Sequence, residues 1–322
     1  MLKTKFRNFT AVISILIFAF MLVSCTTTTS TGKTTKQKAE LTKYPEAMLW
    51  ELKGTDSQGN PSSVSILGTI HVADNRLYPL PAVVESAWKN ADRIVGEIST
   101  DDWGRYTDEV QKRTIASLSK DKSVKDYLTD DENEFLTALL GAQTYTSLAM
   151  FEPWVLNSTL STILLQSSGL FAEQSYDVSF ITKAHSAGIK MEGLDSLDTQ
   201  LDILQYGNWD EQIAFLKDGI ESLRNITEET MQLVSLYEAY LSADPDVFTA
   251  IYAEEMESEI AQNPLYKPYY KKMFDERNKK WADKIADYLK QGGNTFIFAG
   301  TGHFTGDNSV FDYMRKNGTL KK

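Results

Sequence analysis

The sequence has 322 residues, a formal net charge of −11, 42% hydrophobic residues and 11% aromatic residues. This composition excludes a largely disordered chain, because it provides enough apolar surface for a packed core. The acidic balance argues against nucleic acids as partners, since a negatively charged surface repels the phosphate backbone.

The N-terminus is typical of a secretory signal. Three basic residues precede an apolar run over residues 11–23, which is shorter than the roughly 20 apolar residues that a transmembrane helix needs. The run ends in Leu22-Val23-Ser24-Cys25, which resembles the lipobox of bacterial lipoproteins. Cys25 is the only cysteine, so a disulfide within the chain is excluded and acylation is the favoured role of this thiol.

We therefore predict a signal peptide over residues 1–24, lipidation of Cys25 and a disordered Thr/Lys-rich tether over residues 25–43. Such a protein would lie outside the cytoplasm, in the periplasm or on the cell surface of a bacterium. It would be attached to the membrane through its lipid anchor only. The alternative is an ordinary signal peptide in which Cys25 is incidental.

Residues 44–322 are predicted to form a single domain that begins with strands. Met48–Leu52 and Val64–Leu67 favour a hairpin with a long loop, whose second strand leads to His71. A helix over residues 82–91 and a strand over Asp92–Ile98 follow. This strand, helix, strand order predicts a βαβ unit that places His71 and Glu97 at the same edge of a parallel pair.

Two long helical insertions are expected, at about residues 101–187 and 196–291, with a short strand over Ile189–Glu192 between them. His185 lies inside the first insertion, and we expect it to be structural or at the surface. The predicted fold class is α/β: a small mixed sheet with a parallel βαβ core, flanking helices and these insertions.

The helix predicted over Tyr270–Leu289 carries an unusual charge. Its apolar residues fall within one arc at 100° per residue, and Arg277 lies in the middle of that arc with Asn278 near its edge. A core-facing guanidinium is costly unless it meets an anion. Arg277 is therefore expected to pair with Glu97 or with a substrate oxygen, or else to extend its head group out to solvent.

The last predicted strand, Thr295–Ala299, is an apolar run closed by glycine, and it leads to His303; a closing helix is expected over Asp307–Asn317. The tetrapeptide pattern Gly-Thr-x-His thus occurs twice, at Gly68–His71 and at Gly300–His303. Glycine in such turns permits positive φ or a close approach by a neighbour. Ligands of open α/β sheets bind beyond the carboxyl ends of the strands.

Two histidines and a carboxylate at strand ends suit a divalent metal such as Mn²⁺, Co²⁺, Zn²⁺ or Fe²⁺, with positions left open for water or substrate. Arg277 is then a candidate for stabilising a developing oxyanion. The same residues also suit metal-free chemistry, with one histidine as general base and Glu97 orienting it. A serine nucleophile and a nucleotide-binding glycine loop lack their sequence patterns.

Four segments together resemble the TraB/PrgY/GumN family, which is related to the Tiki proteins. The resemblance covers roughly residues 49–318, and its segments are GTIHVADNRLYPLPAVVESAWKNADRIVGEI, MEGLDSLDTQLDIL, DERNKKWADKI and FIFAGTGHFTGDNSVFDYMRKNG.

This resemblance implies a metalloprotease-like hydrolase, since Tiki members cleave peptides with Mn²⁺ or Co²⁺, while related folds include erythromycin esterase-like and haem-binding members. By position, His71, Glu97 and His303 would form the metal and catalytic centre, supported by Arg277 and Asn278. The family commonly has Gly-Leu-Glu where this chain has Gly-Leu-Asp, which leaves the role of Asp195 open.

The expected function is accordingly a metal-dependent hydrolase that acts on peptides, or on a small molecule, outside the cytoplasm. One alternative is a lipoprotein that binds metal, haem or peptide without turnover. The other is a metal-free esterase that uses histidine and glutamate.

Overall fold

The computed structural model describes residues 38–321. The predicted signal peptide, Cys25 and the first part of the predicted tether lie outside this range. The predicted end of the tether at Lys43 is wrong, because Glu40–Tyr44 forms the first strand, β1. This strand pairs along its whole length with the next one, which gives polar residues such as Thr42 and Lys43 backbone partners.

One six-stranded mixed sheet lies at the centre of the fold. Its strands are β1, β2 (Leu49–Thr55), β3 (Pro61–Thr69), β4 (Arg93–Gly96), β5 (Glu192–Gly193) and β6 (Gly293–Gly300). Their spatial order is β1-β2-β3-β6-β4-β5. The pairs β1–β2 and β2–β3 are antiparallel, whereas β3–β6, β6–β4 and β4–β5 are parallel. The predicted hairpin, mixed sheet and α/β class are confirmed.

β6 takes the central position of the parallel part. Its last six residues, Thr295–Gly300, are all buried, as expected for a parallel strand covered on both faces. The predicted direct pairing of the strands before His71 and Glu97 is wrong, because β6 lies between β3 and β4. The apolar run 295–299 fills this place since it is the segment that needs burial on both faces. All three strands still run in the same direction, so their carboxyl ends meet at one edge.

The segment between β3 and β5 is largely helical, as predicted. After α1 (Ala82–Lys89), which connects β3 to β4, come α2 (Thr100–Trp103), α3 (Tyr106–Ala116), α4 (Asp130–Leu140), α5 (Ala142–Leu148), α6 (Pro153–Ser167) and α7 (Tyr176–Ser186). α6 begins at Pro153, which occupies the first turn of the helix, where its missing N–H costs nothing. His185 is exposed on α7, as expected.

The short strand β5 lies later than predicted. Ile189 does not enter the sheet, since its amide donates to the carbonyl of Ala184 at 2.9 Å and so belongs to the C-terminus of α7. Only Glu192 and Gly193 pair with β4. β5 nevertheless places the next residues, Leu194 and Asp195, at the same sheet edge as Glu97, because the Asp195 amide donates to the Glu97 carbonyl at 3.2 Å.

The second helical insertion is also confirmed. It contains α8 (Leu197–Leu204), α9 (Trp209–Arg224), α10 (Ile226–Leu241), α11 (Pro245–Gln262), α12 (Tyr266–Tyr270) and α13 (Glu276–Gln291). The helix predicted over Tyr270–Leu289 is interrupted by one π-helical segment, Lys271–Asp275, just before Arg277. α14 (Val310–Lys316) closes the fold after β6.

Acidic side chains are buried between α9, α10 and α11. Glu229 on α10 has no exposed surface and Glu259 on α11 is 3% exposed. Within residues 38–321, neither carboxylate has a hydrogen-bond partner. Burial, followed by the neighbouring acidic residues, raises the pKa of Glu229 to about 9. This carboxyl is therefore held in its neutral, protonated form at neutral pH.

Replacing Glu229 with glutamine is expected to stabilise the protein at alkaline pH. The folded-state pKa of Glu229 lies above the ordinary value, so stability is complete below that ordinary value and is lost as pH rises toward about 9. Glutamine carries no proton to lose, so we expect Glu229→Gln to gain about 1–3 kcal/mol at pH 8 and little at pH 5. Urea unfolding at both pH values measures this difference. Glu257→Gln, at an exposed position of α11, is the matched control. An equal effect of Glu229→Gln at both pH values would contradict the explanation.

Candidate functional site

Three strand ends bring the candidate residues together. His71 follows β3 by two residues, Glu97 directly follows β4, and His303 ends the short turn Thr301–His303 that follows β6. The sequence placed the two histidines after separate strands and Glu97 near the end of a third. The structure brings all three to one edge of the sheet.

Gly300 lies at the point where they meet. A Cβ atom added to this glycine would lie 3.2 Å from His71 Nε2, 3.4 Å from Glu97 Oε1 and 3.6 Å from His303 Cδ2. The distance between His71 Nε2 and His303 Cδ2 therefore cannot exceed the sum of their distances to this Cβ position. His71 Nε2 also lies 3.7 Å from Glu97 Oε1. The absence of a side chain at residue 300 leaves a cradle between two imidazoles and a carboxylate.

The glycine of the first repeat has a different role. A Cβ on Gly68 would lie 2.7 Å from Thr301 Oγ1 and 3.2 Å from Thr301 Cα. The two Gly-Thr-x-His segments therefore pack directly against each other, with Thr69 beside Gly300 in the sheet register. Close approach, rather than positive φ, explains both glycines, since φ at Gly300 is −51°.

His303 is buried and held in one tautomer. Asn278 Nδ2 donates to the carbonyl of Asn308 at 2.9 Å, which directs Asn278 Oδ1 toward His303 Nδ1 at 2.6 Å. Nδ1 must then carry the proton, and Nε2 keeps its lone pair. Burial, with the nearby charge of Arg277, lowers the pKa of His303 well below its ordinary value. His303 is thus a neutral imidazole with a free Nε2, and its ring packs on Trp281 at a centroid distance of 4.2 Å.

Arg277, on the core-facing side of α13, is paired with two buried carboxylates. Its side chain is 1% exposed; Nη2 donates to Glu97 Oε2 at 2.7 Å and Nε donates to Asp195 Oδ2 at 2.7 Å. The third nitrogen, Nη1, donates to the carbonyl of Met273 in the π-helical segment at 3.1 Å. The expected pairing of Arg277 with Glu97 is confirmed.

Asp195 has a defined place in this network. Besides Arg277, it accepts a hydrogen bond from Trp281 Nε1 at 2.9 Å. Gln200, which is fully buried on α8, bridges the two carboxylates, since its Nε2 lies 3.1 Å from Glu97 Oε2 and 3.2 Å from Asp195 Oδ2. Sequence analysis missed Gln200, although its spacing from Leu197 and Leu201 places it on the core-facing side of α8.

Asp177 is the second residue that sequence analysis missed. It lies in the first turn of α7, where an acidic residue is common and attracts no notice. Thr69 Oγ1 donates to Asp177 Oδ1 at 2.8 Å, and Asp177 Oδ2 lies 3.2 Å from His71 Nδ1. Burial lowers the pKa of His71, but the charges of Asp177 and Glu97 outweigh it and raise this pKa to about 9. The two matched histidines therefore differ in protonation: His71 is cationic and His303 is neutral.

A large cavity opens onto one side of the site. It has a volume of about 700 Å³, and His71, Glu97 and Asp177 contribute to its wall. His71 is the more accessible of the two histidines, since its side chain is 22% exposed whereas His303 is 3% exposed. A ligand in the cavity would meet His71 and Glu97 first, with His303 behind them.

The cradle beside Gly300 suits a divalent ion in the chemistry of its donors. Two imidazole nitrogens and a carboxylate oxygen are the ligand types that Zn²⁺, Mn²⁺, Fe²⁺ and Co²⁺ accept. Metal-binding histidines commonly donate a hydrogen bond from the ring nitrogen that does not bind the ion, and His303 Nδ1 makes such a bond to Asn278. Among residues 38–321, no three such side chains are already drawn close enough to enclose an ion. Ion binding would therefore require the three side chains to move closer together.

The chain belongs to the TraB/PrgY/gumN family, whose sequence profile matches residues 48–320. It is also 30% identical, over 312 residues, to an uncharacterized protein of Treponema pallidum (strain Nichols); the match covers 95% of this chain and 90% of that protein. No solved structure matches the chain significantly. Within residues 38–321, no helix combines the length and apolarity needed to cross a bilayer.

Removing the charge of Asp177 is expected to lower the pKa of His71. In the metal-free Asp177→Asn variant, burial is no longer opposed by this neighbour, so the pKa should fall by at least one unit from about 9. An NMR titration of the imidazole protons measures it directly, because the chain has only three histidines. The exposed His185 is an internal control, because its imidazole signals should be the same in the spectra of both proteins. If His71 titrates at the same pH in both proteins, Asp177 does not set its charge.

Proposed function

We propose that this protein is a metal-dependent hydrolase that cleaves peptide bonds. The observation that carries the proposal is the cradle beside Gly300, where His71 Nε2, Glu97 Oε1 and the His303 ring face one point. His71, Glu97 and His303 would hold the ion. When bound, the ion would activate a water molecule and polarise the substrate carbonyl.

The chain's own residues prepare this site before any ligand arrives. Asn278 fixes the His303 tautomer so that Nε2 keeps its lone pair, and the adjacent ring atom Cδ2 lies 3.6 Å from the Cβ position at Gly300. The Gly300 amide donates to Glu97 Oε1 at 2.8 Å, which fixes the carboxylate between β4 and β6. These contacts restrict the side chains before binding, so the closure of the three ligands on an ion would cost less entropy than it would from freely rotating side chains.

Arg277 is a positioning residue in this proposal. All three of its nitrogens are engaged by Glu97, Asp195 and the Met273 carbonyl, and its side chain is buried behind Glu97. A role in binding a developing oxyanion, which the sequence suggested, would require an N–H group of Arg277 to face the cavity, and Arg277 does not contribute to the cavity wall. We therefore assign Arg277 to holding Glu97, and Asn278 to holding His303.

The proton on His71 distinguishes metal-dependent from metal-free chemistry. A metal ligand must be a neutral imidazole, so binding of an ion at Nε2 would release the proton that Asp177 and Glu97 stabilise. If that proton stayed in place, His71 would be a general acid beside Glu97, as in a metal-free esterase. The cavity next to His71 also suits a binding protein without turnover.

Hydrolysis of a synthetic peptide library, followed by mass spectrometry, tests the proposal. We expect cleavage by purified protein supplied with Mn²⁺, Co²⁺, Zn²⁺ or Fe²⁺, and its loss after chelation. His71→Ala and Glu97→Gln should each reduce the rate by about 10²–10⁴-fold. His185→Ala is the matched control and should retain full activity, because His185 is exposed on α7.

Each alternative has its own outcome in this experiment. Cleavage that survives rigorous chelation identifies metal-free chemistry. An equal background in the wild type and in Glu97→Gln, with ligand still bound, identifies a binding protein.

A further inference from the structure

The cavity beside His71 is polar at one end and apolar along most of its wall. The polar end is formed by His71, Glu97 and Asp177. The apolar wall comes from four parts of the chain: α6, α7 with the turn before it, the strand ends at Ile98 and Phe298, and the aromatic residues Trp103 and Tyr106 of α2 and α3. Its main apolar members are Ile98, Leu165, Leu170, Phe171, Ile181 and Phe298.

The apolar wall lies within the folded core. Leu170, Ile181 and Phe298 are each less than 5% exposed, so this surface is already shaped in the unliganded fold. Phe171, in contrast, is 43% exposed. A large aromatic side chain exposed beside an apolar cavity is typical of a ligand entrance, where it adds apolar contact once the ligand is in place.

The charges around the cavity limit what it can accept. Glu97 and Asp177 lie at the polar end, and the exposed Glu173 also contributes to the wall. Glu97 is paired with Arg277 and Asp177 contacts His71, but the wall still has more carboxylates than basic side chains, which disfavours an occupant that carries its own carboxylate, such as a free fatty acid. A neutral apolar group attached to a peptide backbone meets no such penalty.

The size of the cavity sets a lower limit on that group. A volume of about 700 Å³ is within the range of sites that enclose a whole small ligand, and it exceeds what a small side chain can fill. A small or polar side chain would leave most of the apolar wall in contact with water. A large apolar side chain would remove more of this wall from water, and the burial would stabilise the bound peptide.

We infer that this cavity is a specificity pocket that takes a large apolar side chain, such as Phe or Leu, next to the scissile bond of a peptide. This inference rests on the proposed hydrolase function, because it uses the same His71 and Glu97. It adds a substrate class that the cradle itself does not define. Ala172, in the turn before α7, and Val178, in the first turn of α7, both line the cavity. A larger side chain at either position would reduce the volume of the cavity.

Binding of an apolar dye measures the pocket without relying on catalysis. N-phenyl-1-naphthylamine, a neutral probe, should bind the wild type and be displaced by a peptide that contains Phe, but not by its Ser-containing counterpart. Ala172→Phe and Val178→Phe should each weaken dye binding at least tenfold, because the new ring occupies the cavity. Ala187→Phe adds the same ring at the exposed end of α7 and should leave binding unchanged. Thermal melts check that each variant is folded.

Cleavage rates on matched peptides complete the test. We expect kcat/KM for a peptide with Phe beside the scissile bond to exceed that of the Ser peptide at least tenfold, and Ala172→Phe to remove this preference. If peptides are cleaved without preference, or if dye binding is unaffected in both cavity variants, the pocket assignment is wrong while the hydrolase proposal stands. If the dye and the Phe peptide bind as expected but nothing is cleaved, the cavity takes large apolar side chains as inferred, whereas the hydrolase proposal and the place of the cavity beside a scissile bond are wrong.

Discussion

The buried ion network around Arg277 is the interaction on which the candidate site depends. One guanidinium on α13 binds Glu97, which follows β4, and Asp195, which follows β5. Burying any of these charges alone would be strongly unfavourable, and their mutual pairing offsets much of that penalty. The Gly300 amide and Trp281 Nε1 donate to the other two carboxylate oxygens, and Gln200 bridges the two that Arg277 binds, so every oxygen of Glu97 and Asp195 has a donor. It fixes Glu97 at the sheet edge where β3 and β6 deliver the two histidines.

The two histidines show how the same local sequence acquires two different properties. Each follows Gly-Thr-x at the end of a central strand. His71 lies beside two carboxylates and is held as a cation, whereas His303 lies among Trp281, Phe274 and Asn278 and is held neutral. Neighbouring titratable groups whose environments push their pKa values apart are typical of acid–base and metal sites. The difference is set by residues outside the two repeated segments: Glu97 and Asp177 beside His71, and Asn278 and Trp281 on α13 beside His303.

What the sequence could predict was set by local patterns. The apolar run over 295–299 indicated a buried strand, and the 100° periodicity around Arg277 favoured its pairing with Glu97 or with a substrate oxygen over extension of its head group to solvent. Both predictions are confirmed. The order β3-β6-β4 was beyond reach, because it depends on pairing between segments more than two hundred residues apart. Asp177 was missed because an acid in the first turn of a helix is common. The prediction that residues 40–43 belong to a tether failed because polar side chains do not prevent a strand from pairing at the edge of a sheet.

The central claim is that His71 and His303 share one ion beside Gly300. Anomalous diffraction from crystals soaked in Mn²⁺, collected on both sides of the manganese absorption edge, tests it most directly. The account predicts a single strong anomalous peak within reach of both imidazoles and of Glu97. A fully soaked crystal with no peak at this position, or with a peak that contacts neither ring, would contradict it.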